Sequence, residues 1–134
     1  MATTKQAPRV EDTTEILRLV ETAQQQGSPD RYHGKRRWTR FTAGMQLEVT
    51  TEPTDPTGSV RVIMHNLSAG GLAFWSKRRL PERCAIFVRE FSDEGQAEWI
   101  PAQVCHCALC LRGFLVGAEF ENPPPTETHA HGGC

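Results

Sequence analysis

No run of eighteen apolar residues occurs in this 134-residue chain, so no segment of it is expected to cross a bilayer as a helix. The first thirty residues also lack the apolar stretch of a secretion signal. Without such a signal, an odd set of five cysteines reads as reduced thiols in a cytoplasm rather than as a disulfide framework. Charge of one sign is scarce in sum: the net charge is -1, which excludes recruitment to nucleic acid or membrane by bulk electrostatics. Catalytic signatures are missing too. There is no P-loop, no triad and no paired-carboxylate site. His65 stands near Ser68, but no third group is placed to orient it, so strand packing suits it better than acid–base work and no enzymatic activity is expected. No internal repeat stands out.

What is present fits one small domain, with 38% hydrophobic and 23% charged residues. The cations are unevenly spread. Arg31, Lys35, Arg36, Arg37 and Arg40 fall within ten residues that hold no acid. Such a block repels itself unless it is solvated or faces an anion.

Along the chain, Asp12-Thr13-Thr14-Glu15 has the form of a capping box. Ile16, Leu19, Val20 and Ala23 then repeat at i, i+3, i+4 and i+7, predicting an amphipathic helix stopped by Gly27 and Pro29. About four turns of helix are marginal alone in water, so this one should dock, either over an open side of its own domain or against a partner. From Phe41 the period changes to two: Phe41, Ala43, Met45, Leu47 and Val49 alternate with polar residues as a half-buried strand. Pro53, Asp55, Pro56 and Gly58 form a turn, after which Val60, Val62 and Met64 resume the alternation. Further strands are expected at 72–75, 84–91, 97–106 and 114–120. A basic turn, Lys77-Arg78-Arg79, follows the first of these, and Ser92-Asp93-Glu94-Gly95 reads as a hairpin loop. Pro101 suggests an edge or a bulge. Six or so short strands with regular turns predict a mostly β protein, a six-stranded antiparallel barrel carrying an N-terminal amphipathic helix.

Two motifs stand out against this frame. Arg36 and Arg40 form an RxxxR spacing with Lys35, Arg37 and Trp38 inside or beside it, and Asn66, Ser68 and Gly71 fit NxSxxG with Gly70 in the turn. Arginine donates two parallel hydrogen bonds to a phosphate or to the edge of a guanine, and its flat face stacks on a base. Asparagine both donates and accepts. Trp38 could stack on a base or anchor the loop on the barrel. In this order and separation the motifs resemble the PilZ domain, a bacterial receptor for cyclic di-GMP, over about Lys35 to Phe120; Phe114 to Phe120 also resembles the strand that closes many such domains. Asn66 stands where the family more often has Asp. The resemblance implies that Arg36 and Arg40, with Lys35 and Arg37 beside them, hold cyclic di-GMP. It implies that Asn66 and Ser68 bind guanine and nearby polar groups, and that Gly70 and Gly71 permit a tight backbone.

The resulting division is an N-terminus without fixed structure (1–11), a helix (12–27), a barrel domain with its arginine loop at 31–40 (28–121) and a tail without fixed structure (122–134). The expected role is a stand-alone, cytoplasmic cyclic di-GMP receptor, without cofactor, whose arginine loop orders on ligand and signals to a protein effector. Two other readings remain. One is a small barrel binding single-stranded nucleic acid through its basic loops and tryptophans; the other is a ligand-free protein-interaction module. Cys105, Cys107 and Cys110 raise a zinc reading, with Cys105 and Cys107 on one strand face and His129, His131 or Cys134 as a fourth ligand. Their spacing is not that of a zinc ribbon, and free thiols are the default.

Overall fold

The computed structural model describes residues 10–29, 40–92 and 97–124. Lys35, Arg36, Arg37 and Trp38 lie outside these, as do the hairpin loop at 93–96 and the candidate fourth zinc ligands of the tail.

A helix, α1 (Val10–Gln26), opens the described chain. Its apolar stripe is buried as the spacing predicts, with Ile16 and Ala23 wholly inside and Leu19 and Val20 nearly so. Burying a side chain the size of Ile, Leu or Val contributes roughly 1.5–3 kcal/mol, enough to fix a helix that is marginal alone. The helix starts two residues before the expected cap, so Val10 and Glu11 are helical and Asp12 stands inside the first turn. Glu15 accepts from Arg18 Nη1 at 2.9 Å across one turn of the helix, the neighbour that i, i+3 spacing supplies. Gly27 N donates to Ala23 O at 2.8 Å and ends the helix. A Cβ on Gly27 would collide with the Thr42 carbonyl, so only glycine lets the helix end lie this close to the barrel.

Eight strands follow: β1 (Ser28–Pro29), β2 (Phe41–Thr42), β3 (Gln46–Thr50), β4 (Val60–Ser68), β5 (Gly71–Ser76), β6 (Ala85–Glu90), β7 (Ile100–Cys110) and β8 (Gly113–Phe120). Six of them close on themselves in the order β3-β4-β5-β8-β7-β6, every pair antiparallel, with β3 returning to β6. Closure removes the sheet edges that would otherwise invite pairing with another chain. The interior is filled by Leu47, Val62, Met64, Leu67, Phe74, Ile86, Val88, Val104 and Val116, whereas Val60, expected to alternate inward with Val62 and Met64, is exposed at the start of its strand. Phe41, Ala43, Met45, Leu47 and Val49 all face inward. Pairing nevertheless breaks between β2 and β3, because β4 carries an extra residue at His65 that shifts its register between Met64 and Asn66.

Three expectations need correction. Pro101 lies at no edge: it stands opposite Phe87 inside the closed barrel, and the bulge of that strand falls between Val104 and His106. That bulge also separates the cysteines, since Cys105 is exposed while the half-buried Cys107 packs against the core. β7 runs on to Cys110, which faces Gly113 on the strand rather than coming round a turn. The chain after Phe120 is described as far as Pro124, which is buried, so the expected tail begins packed rather than free.

α1 lies against β1, β2, β4 and β7 and covers the barrel end where β2 meets β4.

Candidate ligand-binding site

The polar turn is built by local register. Leu67 faces Leu72 and Ser68 faces Gly71, leaving Ala69 and Gly70 as a two-residue connection between β4 and β5. Leu67 is wholly buried; beside it Asn66 is half-buried and Ser68 is buried as well. Ser68 Oγ accepts from Gly70 N at 3.1 Å and donates to Gly71 O at 3.5 Å. The hydroxyl thereby ties the turn to itself. Asn66, half-buried, is the first residue after the bulge and faces Ala73.

The glycines have separate tasks. A Cβ on Gly71 would collide with the Ala118 carbonyl oxygen, so its bare backbone lets β5 and β8 approach. Gly70 accepts from Phe120 N at 3.0 Å, which ties the turn to the end of β8.

Register also brings an arginine to this turn. Phe41 pairs with Leu67, and both side chains point inward. By the same register Arg40 comes level with Ser68, and Thr42 with Asn66. Arg40 and Thr42 are exposed there. Thr42 was not singled out by the motifs; its place two residues after Arg40 on an alternating strand is the signal that finds it. β1 then pairs with β2, Pro29 opposite Phe41 and Ser28 opposite Thr42. The chain between Pro29 and Arg40 therefore leaves and returns at one point, beside the polar turn. Of the predicted ligand residues, Arg40, Asn66, Ser68, Gly70 and Gly71 come together here. Lys35, Arg36, Arg37 and Trp38 belong to the connection outside the described residues.

Elsewhere the aromatics serve the barrel's outer face. The Arg89 guanidinium lies 3.9 Å from the Trp99 ring centre while its Nε donates to Glu48 at 2.9 Å. Burial pushes the Glu48 carboxyl up, but hydrogen bonds from Ser59 and Arg89 and the charges of Arg89 and Arg61 outweigh it and hold the group below the usual carboxylate range. Trp75 meets the His65 ring edge-on at 5.6 Å, so His65 packs along the strand as expected. The Cys105 thiol is pushed up, first by burial and then by the neighbouring Glu119 carboxylate. Among the described residues, no three His, Cys, Asp or Glu side chains converge to hold a metal.

Comparison with known proteins agrees with this architecture. No curated protein matches the sequence. Among solved structures, the Bacillus subtilis inhibitor of motility (MotI/DgrA) superposes with a TM-score of 0.53 at 15% identity, a likeness of fold. The match covers 68% of this chain but only 44% of that one, so the chain spans less than half of that protein's length. The family model for the PilZ domain matches residues 34–131, from just before the arginine motif, through the polar turn and the closed barrel, and further into the tail than the motifs alone suggested. With well over half of its sequence so matched, the chain belongs to the PilZ domain family.

Proposed function

We propose that this chain is a cyclic di-GMP receptor and adaptor that works in the bacterial cytoplasm, where its cysteines stay reduced. The observation that supports the reading is the pairing of Phe41 with Leu67, a register in which Arg40 comes level with Ser68 and Thr42 with Asn66. Arg36 and Arg40 donate to the phosphates and to guanine edges, as planar forked cations do. Asn66 and Ser68 meet the remaining polar edge of a guanine. Two phosphates relieve the mutual repulsion of the five cations at 31–40, so ligand orders the connection between Pro29 and Arg40. Its base is clipped to β2, and Gly27 lies against Thr42. Closure of the loop therefore pulls on the end of α1, whose outward side, with the half-exposed Leu17, is what a protein effector would read.

Calorimetric titration of cyclic di-GMP tests the reading, with GTP and cyclic di-AMP as controls. Binding lost in the Arg36→Ala/Arg40→Ala double variant supports it, and absence of heat with the wild-type chain refutes it.

One observation favours the ligand-free interaction module instead: Ser68 and Gly71 each have a structural task that needs no ligand. The nucleic-acid reading fares less well, because Arg89 already covers a face of Trp99 that a base would need.

A further inference from the structure

The barrel end opposite the polar turn is built differently. A groove of about 580 Å³ opens there between the start of β4, the end of β5 and the turn that follows it. Its lining includes five cations, Arg61, Lys77, Arg78, Arg79 and Arg112, and no acid. A third of the chain's 15 cations therefore gather at this groove, equal in number to those of the arginine segment. Acids are close by but outside it: Glu48 opposite Arg61 on β3, Glu52 and Asp55 on the β3–β4 connection, and Glu82 beside Arg79. Asp55 already accepts from Thr57 N and Oγ, at 3.3 and 2.7 Å.

Next to the groove stands the tip of the β7–β8 hairpin. Cys110 and Gly113 form its last pair, leaving Leu111-Arg112 as the turn. Leu111 is fully exposed and Leu109 about three-quarters exposed, more than any other large apolar side chain among the described residues. The tip is fixed in place. Gly113 has φ 120°, a backbone that disfavours a side chain, and a Cβ there would come within 2.8 Å of Ser76 O, immediately before Lys77. Arg112 reaches back to 5.7 Å from the Trp75 ring centre, so it belongs to the tip and the groove at once.

We infer that this end of the barrel docks on an anionic lipid surface, with Leu109 and Leu111 entering the apolar layer while Lys77, Arg78, Arg79 and Arg112 face the headgroup phosphates. A convex apolar tip ringed by cations fits a fluid apolar layer beneath a negative one, which needs no matching cavity. An acidic protein segment would account for the cations but not for two leucines that stand clear of the groove. A nucleic acid would want stacking platforms, and this end offers one tryptophan, already approached by Arg112 and His65. Neither signal suffices alone, since stable attachment to a bilayer generally takes an apolar and a polybasic element together. The inference stands independently of the cyclic di-GMP reading, which concerns the other end of the β4–β5 hairpin.

Co-sedimentation of the full chain with vesicles tests it, using phosphatidylcholine alone and phosphatidylcholine mixed with phosphatidylglycerol, each at low and high salt. The wild-type chain should sediment with the mixed vesicles only, and less at high salt. Each cation near such a surface contributes about fivefold, so Lys77→Ala/Arg78→Ala/Arg79→Ala should weaken partitioning about a hundredfold. Leu109→Ser/Leu111→Ser should weaken it roughly tenfold or more with the salt dependence unchanged, since a buried methylene contributes about fourfold. All these side chains are exposed, and unchanged circular dichroism with an unchanged thermal unfolding midpoint would confirm that the variants remain folded. No sedimentation with the mixed vesicles overturns the inference, as does sedimentation indifferent to the leucines. Retention of an oligonucleotide that depends on the cations but not on the leucines would assign the groove to nucleic acid. Loss, with the cations alone, of binding to a polyglutamate peptide would assign it to acidic protein.

Discussion

The β4–β5 hairpin joins two basic regions of opposite design. At its turn, Arg40 comes level with a backbone fixed by Ser68, by the close approach of Gly71 to β8 and by a helix laid across the barrel end. At its open end, Arg61, Lys77, Arg78 and Arg79 surround a groove lined by strands and the turns between them, next to two exposed leucines. Charge beside an immobile polar turn can hold a small ligand in one orientation, whereas charge beside a protruding apolar tip suits an extended surface. Cation count alone would not separate the two; the backbone around the cations does.

The comparison breaks most readily at the arginines. Arg36→Ala/Arg40→Ala removes two charge-assisted donors, each contributing about 1.5–3 kcal/mol, so cyclic di-GMP affinity should fall roughly a hundredfold or more by calorimetry. Lys77→Ala/Arg78→Ala/Arg79→Ala should leave it unchanged, and equal losses in both variants would erase the distinction. Next in size is Ile16→Ala, which would loosen the cover of the motif end. Truncating a fully buried Ile should cost about 2–5 kcal/mol in denaturant unfolding. Gly71→Ala forces a methyl group against the Ala118 carbonyl, which should cost about 1–3 kcal/mol and weaken ligand binding with it. A fully stable Gly71→Ala chain would mean that β5 and β8 can part without consequence.

The smallest effect concerns Glu48, whose carboxylate offsets part of the charge of Arg61 at the open end. Its folded-state pKa is lowered, so the group adds stability above the ordinary carboxylate range and loses it as pH falls through the folded value. Glu48→Gln should therefore be less stable than wild type near neutral pH, with the difference vanishing on acidification. A difference that persists or grows in acid would mean that the Ser59 and Arg89 contacts do not act through the carboxylate charge.

Some of this was legible in the sequence for a plain reason. Alternation from Phe41 to Val49 and the Ile16–Ala23 stripe report burial directly, and both faces came out as read. The bulges at His65 and Cys105 were not legible, because an extra residue in a strand changes register without changing composition. The shared strand face read for Cys105 and Cys107 gave way for that reason: two residues apart means one face only while pairing is regular. Arg61 and Arg112 also escaped notice, since closure of the barrel, not proximity in sequence, gathers them to Lys77–Arg79. At the polar turn the motif letters were plain, but the commitment of the Ser68 hydroxyl to its own backbone appears only in three dimensions.

The most direct test of the central claim is an amide-resolved magnetic resonance titration of the full, isotope-labelled chain with cyclic di-GMP. The account predicts shifts at Arg40, Phe41 and Thr42 and from Asn66 to Gly71, followed by the end of α1 near Gly27. Lys77, Arg78, Arg79 and Arg112 should stay where they are. Shifts confined to the open end, or a motif end that does not respond, would contradict it.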